Sequence, residues 1–432
     1  MGGIFLLAAL LWVTEAIPLF ATSLLVIGLQ VILLANPGGW AGLGFETGRS
    51  GPGHRAIFTA AADPILVLFF GGFLLAQAAV KEGVDRAMSA LLLRPFGGRP
   101  QATMLGIMLV TALFSMWMSN TATTAMMMTL VLPILAQLRP DDRFRKALVL
   151  AVPIAANVGG LGTPIASPPN AVAIGFLQKA GLKIGFLDWM LVAVPLMLVM
   201  LFFAWGLLGR LFRTAATSSQ IIIVGQTLTR RGWFVVGVFV VTVLFWITEQ
   251  WHGVPSAAVA LLPAILFTAT GLLNRDDLKR LEWNVLILIA GGISLGAGVQ
   301  MTGLDGELLR RLPTGGTTIG FLLPILVIVT IGLSTFMSNT AAANLLLPLG
   351  ISSAALIGGG VVSAVQAAMC IAMAASLSMA LPVSTPPNAI AYATGEFETR
   401  DMIRLGVIIG AVGALLIILG SGFVLRFWGV IP

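Results

Sequence analysis

The sequence predicts an all-α polytopic membrane protein, built from two inverted repeats of five spans that each contain a re-entrant hairpin and a broken helix. Composition, the distribution of basic residues and a doubled set of motifs carry this prediction. Hydrophobic residues make up 58% of the 432 residues and charged residues only 9%, whereas a soluble domain carries roughly 25% charge. A chain this long and this apolar has too little polar surface to cover a water-soluble globule, so we expect it to span the lipid bilayer.

The composition also excludes several classes of function. The net charge of +7 comes from basic residues dispersed between apolar runs, which does not fit a nucleic-acid binder with one clustered basic patch. Cys370 is the only cysteine, which excludes a disulfide framework and a cysteine-based metal site. His54 and His252 are the only histidines, so a histidine-ligated metal centre is disfavoured. We also expect no organic cofactor.

Apolar runs along the chain define the predicted spans, because a helix needs about 20 apolar residues to cross the hydrocarbon core. Two runs, 103–137 and 318–350, are too long for one span and have a polar tip in the middle, so we interpret them as re-entrant hairpins. Two others, 147–178 and 363–393, are interrupted by proline-rich loops and are interpreted as broken helices. The remaining candidate spans are 3–16, 19–35, 64–80, 187–209, 232–250, 254–273, 284–302 and 403–425.

The basic residues indicate the orientation. If each hairpin enters and leaves on one face, most Lys and Arg residues, 17 of 24, fall on a single side, and such residues concentrate in cytoplasmic loops. We therefore expect hairpin 103–137 to open from the cytoplasm and hairpin 318–350 from outside, in a bacterial-type inner (cytoplasmic) membrane. The segments on the basic side are 81–102, 138–146, 210–231, 274–283 and 394–404.

The two halves of the chain share motifs in the same order. The last three of the four matched pairs are offset by 218 to 220 residues, which coincidence does not explain. Since each half has five crossings, the second half is expected to sit upside down relative to the first, and inverted repeats with broken helices are typical of secondary transporters. The matched segments are 11–15 with 245–249, 70–72 with 290–292, 118–122 with 337–341, and 167–171 with 385–389.

The polar tips carry the chemistry of the predicted site. Ser, Asn and Thr cap helix N-termini, whose free N–H groups and positive dipole ends bind anions. Asn and hydroxyl oxygens can also coordinate a cation. In each broken span, proline breaks the helix and suits the first position of the next one, leaving carbonyls that can bind Na⁺. The loop residues are Ser167, Pro168, Pro169 and Asn170 in the first half, and Thr385, Pro386, Pro387 and Asn388 in the second.

Basic residues are missing where an anion would bind. Neither hairpin contains Lys or Arg, nor does either broken span from Leu148 to Gln178 and from Ser363 to Thr394. A fixed cation at the membrane centre is expensive. We therefore hypothesise that co-bound cations and helix dipoles balance the charge of the anion, which makes coupling obligatory.

Two acidic residues and two mixed segments are further polar features of the sequence. Glu15 and Glu249 each follow a Trp-x-Thr sequence near the end of a span, so a helix end at the membrane surface is favoured over a proton relay. The segments 83–93 and 304–312 mix charged and apolar residues and are predicted to be amphipathic helices lying at the interface.

Together, the tips, the proline loops and the Trp-x-Thr-Glu segments resemble the divalent anion:sodium symporter family of dicarboxylate, citrate and sulfate carriers over nearly the whole chain. The resemblance implies a homodimer that moves a small dicarboxylate, or another divalent anion, together with Na⁺ by an elevator mechanism. It also implies scaffold parts at 1–100 and 213–317, and transport parts at 101–212 and 318–432. The family has eleven spans with one helix before the repeats, whereas ten are counted here.

The resemblance also implies the site residues. The substrate carboxylates would be bound by Ser119, Asn120, Thr121, Ser338, Asn339, Thr340, Thr385 and Pro386. The first sodium would sit with Ser115, Ser119, Asn120 and the carbonyl of Ala166. The second would sit with Ser334, Ser338, Asn339 and the carbonyl of Ser384.

The sequence leaves several alternative functions open. Within the same class, we favour C4-dicarboxylates such as succinate, malate and fumarate over sulfate, tricarboxylates or sodium-independent dicarboxylate exchange. An intramembrane serine protease could use Ser50 in the sequence Gly48–Gly51 with a histidine, but this serine lies in a polar loop. An ion channel is the other alternative, although an inverted repeat fits alternating access better than a symmetric pore.

Overall fold

The protein is an all-α structure in the computed structural model, which describes residues 1–40, 53–182, 184–213, 227–311, 318–357 and 360–427. No β-strand occurs in these ranges, which confirms the predicted fold class at the level of secondary structure. The first half contains α1 (Gly2–Thr14), α2 (Leu19–Leu29), α3 (His54–Ala61), α4 (Pro64–Lys81), α5 (Val84–Leu93), α6 (Pro100–Ser115), α7 (Asn120–Leu135), α8 (Phe144–Gly159), α9 (Pro168–Lys179) and α10 (Phe186–Leu211).

Two short segments complete the helices of the first half, and the described part of the second half continues with further helices. A π-helical segment, Gln30–Ala35, extends α2, and a 3-10 turn, Arg94–Phe96, follows α5. The second half contains α11 (Arg230–Ile247), α12 (Glu249–His252), α13 (Ser256–Val259), α14 (Leu261–Ala269), α15 (Arg275–Lys279), α16 (Trp283–Met301), α17 (Leu304–Arg311), α18 (Ile319–Phe336), α19 (Asn339–Ile357), α20 (Val361–Ser376), α21 (Pro386–Tyr392) and α22 (Thr399–Phe427).

Seven helical segments of the described ranges are long and apolar enough to cross a membrane. They include five of the predicted spans, and both arms of the second predicted hairpin also reach this length. The predicted span 254–273 corresponds to the apolar segment Ser256–Ala269, in which α13 and α14 are separated only at Ala260. Pro263 has no N–H to donate to the carbonyl of Val259, which accounts for this local break. The seven are His54–Lys81, Phe186–Leu211, Arg230–Ile247, Trp283–Met301, Ile319–Phe336, Asn339–Ile357 and Thr399–Gly422.

Each predicted hairpin and each predicted broken helix corresponds to a pair of helices that meet at a polar motif. The first hairpin begins at Pro100 and ends at Leu135, and the second extends seven residues beyond its predicted end, to Ile357. The second arms begin at Asn120 and Asn339. Pro168 and Pro386 begin the second part of each broken helix, at the position that proline favours.

The predicted amphipathic helices are also present, as α5 and α17. Several residues used in the sequence interpretation lie outside the described residues, so the structure gives no account of them. They are the serine-protease candidate segment Gly48–Gly51 and Lys183.

Helices of the two halves pack against each other around the motifs. Helix α9 contacts α19 and α20, and α21 contacts α7 and α8. Partly buried ion pairs reinforce this packing: Arg145 at the start of α8 binds the carboxylate of Glu396 through two N–H groups at 2.9 and 2.5 Å. Lys146 lies 2.8 Å from Asp401. The motifs of the two halves are therefore held close together.

A further ion pair joins the end of α4 to the short helix α15. Lys81 Nζ at the end of α4 lies 2.5 Å from Asp277 in α15. Burial alone would raise the pKa of Asp277, but the backbone N–H of Asn274 and the Lys81 ammonium group together hold this pKa below its usual range.

Candidate functional site

A cavity of about 640 Å³ lies where the two tips and the two proline loops meet. The volume is in the range of small-molecule pockets, roughly 300–1,000 Å³. The structure thus brings together residues that are more than 200 positions apart in the chain. The predicted residues that line the cavity are Ser119, Asn120, Thr121, Ala166, Ser167, Pro168, Pro169, Ser338, Asn339, Thr340, Ser384, Thr385, Pro386 and Pro387.

The first tip is ordered by capping and by a buried serine. Ser119 is the N-cap of α7, and its hydroxyl accepts a hydrogen bond from the backbone N–H of Ala122 at 3.3 Å. Ser115, one turn earlier and fully buried, has its Oγ 2.5 Å from Asn120 Oδ1 and 2.7 Å from the carbonyl oxygen of Ala156. A hydroxyl, an amide oxygen and a carbonyl oxygen therefore meet at this tip.

The second tip repeats the contacts of the buried serine. Ser334 Oγ lies 2.7 Å from Asn339 Oδ1 and 2.9 Å from the carbonyl oxygen of Ala375. One hydroxyl is added here, because Ser378 donates to Asn339 Oδ1 at 3.0 Å and contacts Ser334 Oγ at 2.9 Å. Neutral oxygens of this kind are suitable ligands for hard cations.

Asn170 and Asn388 stabilise the breaks from behind the cavity. Asn170 Nδ2 donates to the carbonyl oxygens of Gly160 and Thr163, both at 2.9 Å. Asn388 Nδ2 donates to the carbonyl oxygens of Met379 at 3.0 Å and Leu381 at 2.9 Å. These amides satisfy carbonyls that the broken helices leave without an intrahelical partner. Both asparagines are fully buried, so we assign them to holding the loops.

Close packing at the first break depends on a glycine. A Cβ atom on Gly160 would lie 2.6 Å from Asn120 Nδ2, too close for a non-bonded contact. The absence of a side chain at this position therefore lets the tip asparagine lie directly against the broken helix.

Asn157 is a lining residue that the sequence interpretation missed. Its Nδ2 donates to Thr385 Oγ1 at 3.2 Å and to Asn388 Oδ1 at 3.1 Å, so it joins α8 to the proline loop of the other half. A similar contact joins α20 of the second half to the proline loop of the first half. It is made by Ser376 and Ser167, whose hydroxyl oxygens are 3.3 Å apart. A signal was present, since Asn157 is the only polar side chain in α8 after Lys146.

Acidic residues, and no Lys or Arg, line the described part of the cavity. Glu15, the C-cap of α1, lies at its wall in a left-handed backbone conformation with φ of 50°. Glu282 and Asn284, at the start of α16, contribute from the other half. Glu249 does not join them, because it begins α12 and accepts a hydrogen bond from Ser256. Both repeated acids are at helix ends, as predicted, but only Glu15 reaches this cavity.

Comparisons with known proteins place this chain among transporters. A family model, described as the sodium:sulfate symporter transmembrane region, matches residues 1–431. An uncharacterized transporter of Haemophilus influenzae is 31% identical over 99% of this chain and 92% of its own length. The sodium-dependent dicarboxylate transporter SdcS of Staphylococcus saprophyticus is 29% identical, covering 96% of this chain and 85% of its own length.

Two further relatives show the extent of the similarity. An uncharacterized transporter of Schizosaccharomyces pombe is 30% identical over 98% of this chain, which spans only 49% of that protein. Among solved structures, the YdaH transporter of Alcanivorax borkumensis, described as having an unusual topology, superposes with a TM-score of 0.60 over 98% of both chains. At 15% identity, this likeness concerns the fold alone. The match of the family model over nearly the whole chain shows that the protein belongs to the sodium:sulfate symporter family, the divalent anion:sodium symporters.

Proposed function

We propose that this protein is a sodium-coupled secondary active transporter of C4-dicarboxylates such as succinate, malate and fumarate. The observation that carries the proposal is the cavity itself, which is lined by the N-terminal residues of α7 and α19 and by two acidic side chains, but by no described Lys or Arg. A dianion placed beside Glu15 and Glu282 is repelled unless cations enter with it. Membership in a sodium symporter family supports the same coupling.

The co-transported sodium ions are proposed to bind at the two tips. The first binds Ser115, Ser119, Asn120 and the carbonyl of Ala166, and the second binds Ser334, Ser338, Asn339 and the carbonyl of Ser384. Support comes from the oxygen atoms that already converge on Asn120 and Asn339 from Ser115 and Ser334. Each sodium then places a positive charge next to the N-terminus of α7 or α19, where the substrate carboxylates bind.

The substrate is proposed to be held by the tip residues of both halves, Ser119–Thr121 and Ser338–Thr340, with Thr385 and Pro386. Because all of these line one cavity, the two carboxylates of a dicarboxylate can be bound by opposite tips. The name of the Staphylococcus saprophyticus relative supports a dicarboxylate, whereas the family description supports sulfate. Sulfate or tricarboxylate symport, and sodium-independent exchange, are the alternatives, and uptake measurements separate them.

The transport cycle is proposed to follow an elevator mechanism in a homodimer. Residues 1–100 and 213–317 form the scaffold, and residues 101–212 and 318–432 carry the site across the bilayer as one body. The inverted-repeat arrangement, with hairpin 103–137 opening from the cytoplasm, provides the two alternate access routes. The ion pairs Arg145–Glu396 and Lys146–Asp401 support this division, since each joins the two transport parts.

The proposal is tested by uptake into proteoliposomes. Labelled succinate should accumulate against its gradient when an inward Na⁺ gradient is imposed, and replacement of Na⁺ by choline should abolish accumulation without any proton gradient. Citrate, sulfate and α-ketoglutarate, added as competitors, rank the substrates. Equal uptake in choline, or flux that does not saturate with succinate, would contradict sodium-coupled transport.

A further inference from the structure

A second cavity, separate from the proposed transport site, lies at the end of the molecule where α8 begins, α10 ends and α22 begins. Its volume is about 450 Å³, and it shares no lining residue with the first cavity. Four basic side chains line it, Arg143, Lys146, Arg400 and Arg404. They all belong to the segments in which most of the Lys and Arg residues of the chain occur.

The charge of this second cavity is only partly balanced within the protein. Lys146 is paired with Asp401 at 2.8 Å, and Arg400 with Glu398 at 2.8 Å. In the described part of the chain, Arg143 and Arg404 have no carboxylate partner. Two guanidinium groups therefore remain available, and their planar sets of N–H donors match the oxygens of a phosphate group.

Apolar residues continue from this basic cluster along α22. Residues 400, 403, 404 and 407 are three or four positions apart and share one helix face. On this face, Ile403 is 39% exposed and Val407 is 57% exposed, and both lie within the apolar segment Thr399–Gly422. A ligand that fits the whole surface has an anionic headgroup near Arg404 and a hydrocarbon chain along Ile403 and Val407.

We propose that this second cavity binds the phosphate headgroup of an anionic phospholipid, with an acyl chain lying along the exposed face of α22. Basic pockets between transmembrane helices bind anionic lipid headgroups. Inorganic phosphate shares the headgroup chemistry, but it does not explain the adjoining apolar face. The bound lipid would join α8 to α22, that is, the two halves of the chain, and would thereby stabilise the fold.

The proposal is tested by thermal unfolding of the full chain purified in detergent. Phosphatidylglycerol should raise the Tm, whereas phosphatidylcholine should not, and inorganic phosphate should give only a minor part of the shift. The Arg143→Gln/Arg404→Gln double variant should lose the shift that is specific for phosphatidylglycerol. The matched control is Arg230→Gln/Arg231→Gln, which removes the same charge at the start of α11 but lines neither cavity, and it should keep the shift.

Native mass spectrometry gives a second readout that does not depend on the variants. The wild-type protein should retain phosphatidylglycerol in preference to phosphatidylcholine from an equimolar mixture, in a stoichiometric amount per chain. The proposal is overturned if the two lipids are retained equally or if phosphate alone reproduces the full Tm shift. It is also overturned if both double variants lose the shift equally, because the effect would then come from general surface charge. None of these results depends on transport, so a failure here is distinguishable from a failure of the proposed function.

Discussion

The hydrogen bonds around Thr385 predict that Asn157 determines how strongly the substrate binds. A threonine hydroxyl has one donor and two acceptor positions. Thr385 Oγ1 accepts from Asn157 Nδ2 at 3.2 Å and from the backbone N–H of Asn388 at 3.4 Å. Both acceptor positions are thus used, while no described protein acceptor takes the proton. Since Thr385 lines the cavity, its O–H is left to donate to a substrate carboxylate.

Replacement of Asn157 by alanine removes the donor that orients this hydroxyl. A hydrogen bond to a charged group contributes about 1.5–3 kcal/mol. We expect a loss near the lower end of this range, because the backbone N–H of Asn388 still partly orients Thr385. A loss of about 1.4 kcal/mol corresponds to a tenfold weaker binding. Isothermal titration with succinate in the presence of saturating Na⁺ measures this change.

A double-mutant cycle with Thr385→Val isolates the coupling between the two residues. If Asn157 acts through the hydroxyl of Thr385, the double variant should bind succinate about as weakly as Thr385→Val alone. Ser376→Ala is the matched control in the other half. Its effect should be smaller, since either of the two hydroxyls in the Ser376–Ser167 contact can donate. If the double variant instead loses affinity for succinate by the product of the two single losses, the proposed orientation of Thr385 is refuted.

Asn157→Ala should also affect folding, and this effect can be separated from binding. The change leaves Asn388 Oδ1 without its donor, and an unsatisfied buried polar group costs about 1–3 kcal/mol. We therefore expect a lower Tm in the absence of ligand. The binding cycle is then measured on the folded, monodisperse fraction, and a normal Tm together with normal affinity would contradict both assignments.

The remaining predictions concern packing and ion pairs. Gly160→Ala should displace the tip asparagine and reduce sodium-dependent uptake at least tenfold. The control is Gly237→Ala, which has open space around the added methyl group and should leave uptake unchanged. Equal effects of the two variants would refute the role assigned to Gly160. Glu396→Gln removes the partner of the partly buried Arg145 and should lower the free energy of unfolding by about 1–3 kcal/mol, so an unchanged Tm would contradict it. Because folding lowers the pKa of Asp277, its stabilising effect is present above its ordinary pKa, about 3.9, and is lost as the pH falls through the lower folded pKa. Asp277→Asn should therefore lose less stability on acidification than the wild type, and identical acid-unfolding curves would show that this ion pair contributes nothing.

The parts of the fold that the sequence predicted depend on local chemistry. Proline at 168 and 386 determines where the second part of each broken helix begins, and Ser119 caps α7 as its residue type favours. The second arms begin at Asn120 and Asn339. Each of these asparagines directly follows a serine, a residue type that is favoured at the position before a helix. Such features are predictable because residues within one helical turn decide them.

The rest of the candidate site depends on tertiary packing. Glu15 and Glu282 lie at helix ends, where an acidic residue usually faces solvent, and only the packing of α1 and α16 brings them to the cavity. The contact between Asn157 and Thr385 joins positions 228 residues apart, which no periodic pattern encodes. The break at Ala260, between α13 and α14, was not predicted. Spans were predicted from runs of apolar residues, and Pro263 does not interrupt such a run.

Sodium at Asn120 and Asn339 is proposed to provide the positive charge that lets an anion bind in a cavity whose described lining contains no Lys or Arg. The most direct test is the affinity for succinate measured by isothermal titration as Na⁺ is replaced by choline. Binding should require Na⁺ in the wild type and should be lost in both Asn120→Ala and Asn339→Ala, while both variants remain folded. Tight succinate binding without Na⁺, or normal sodium-dependent binding in both variants, would contradict the proposed role of sodium.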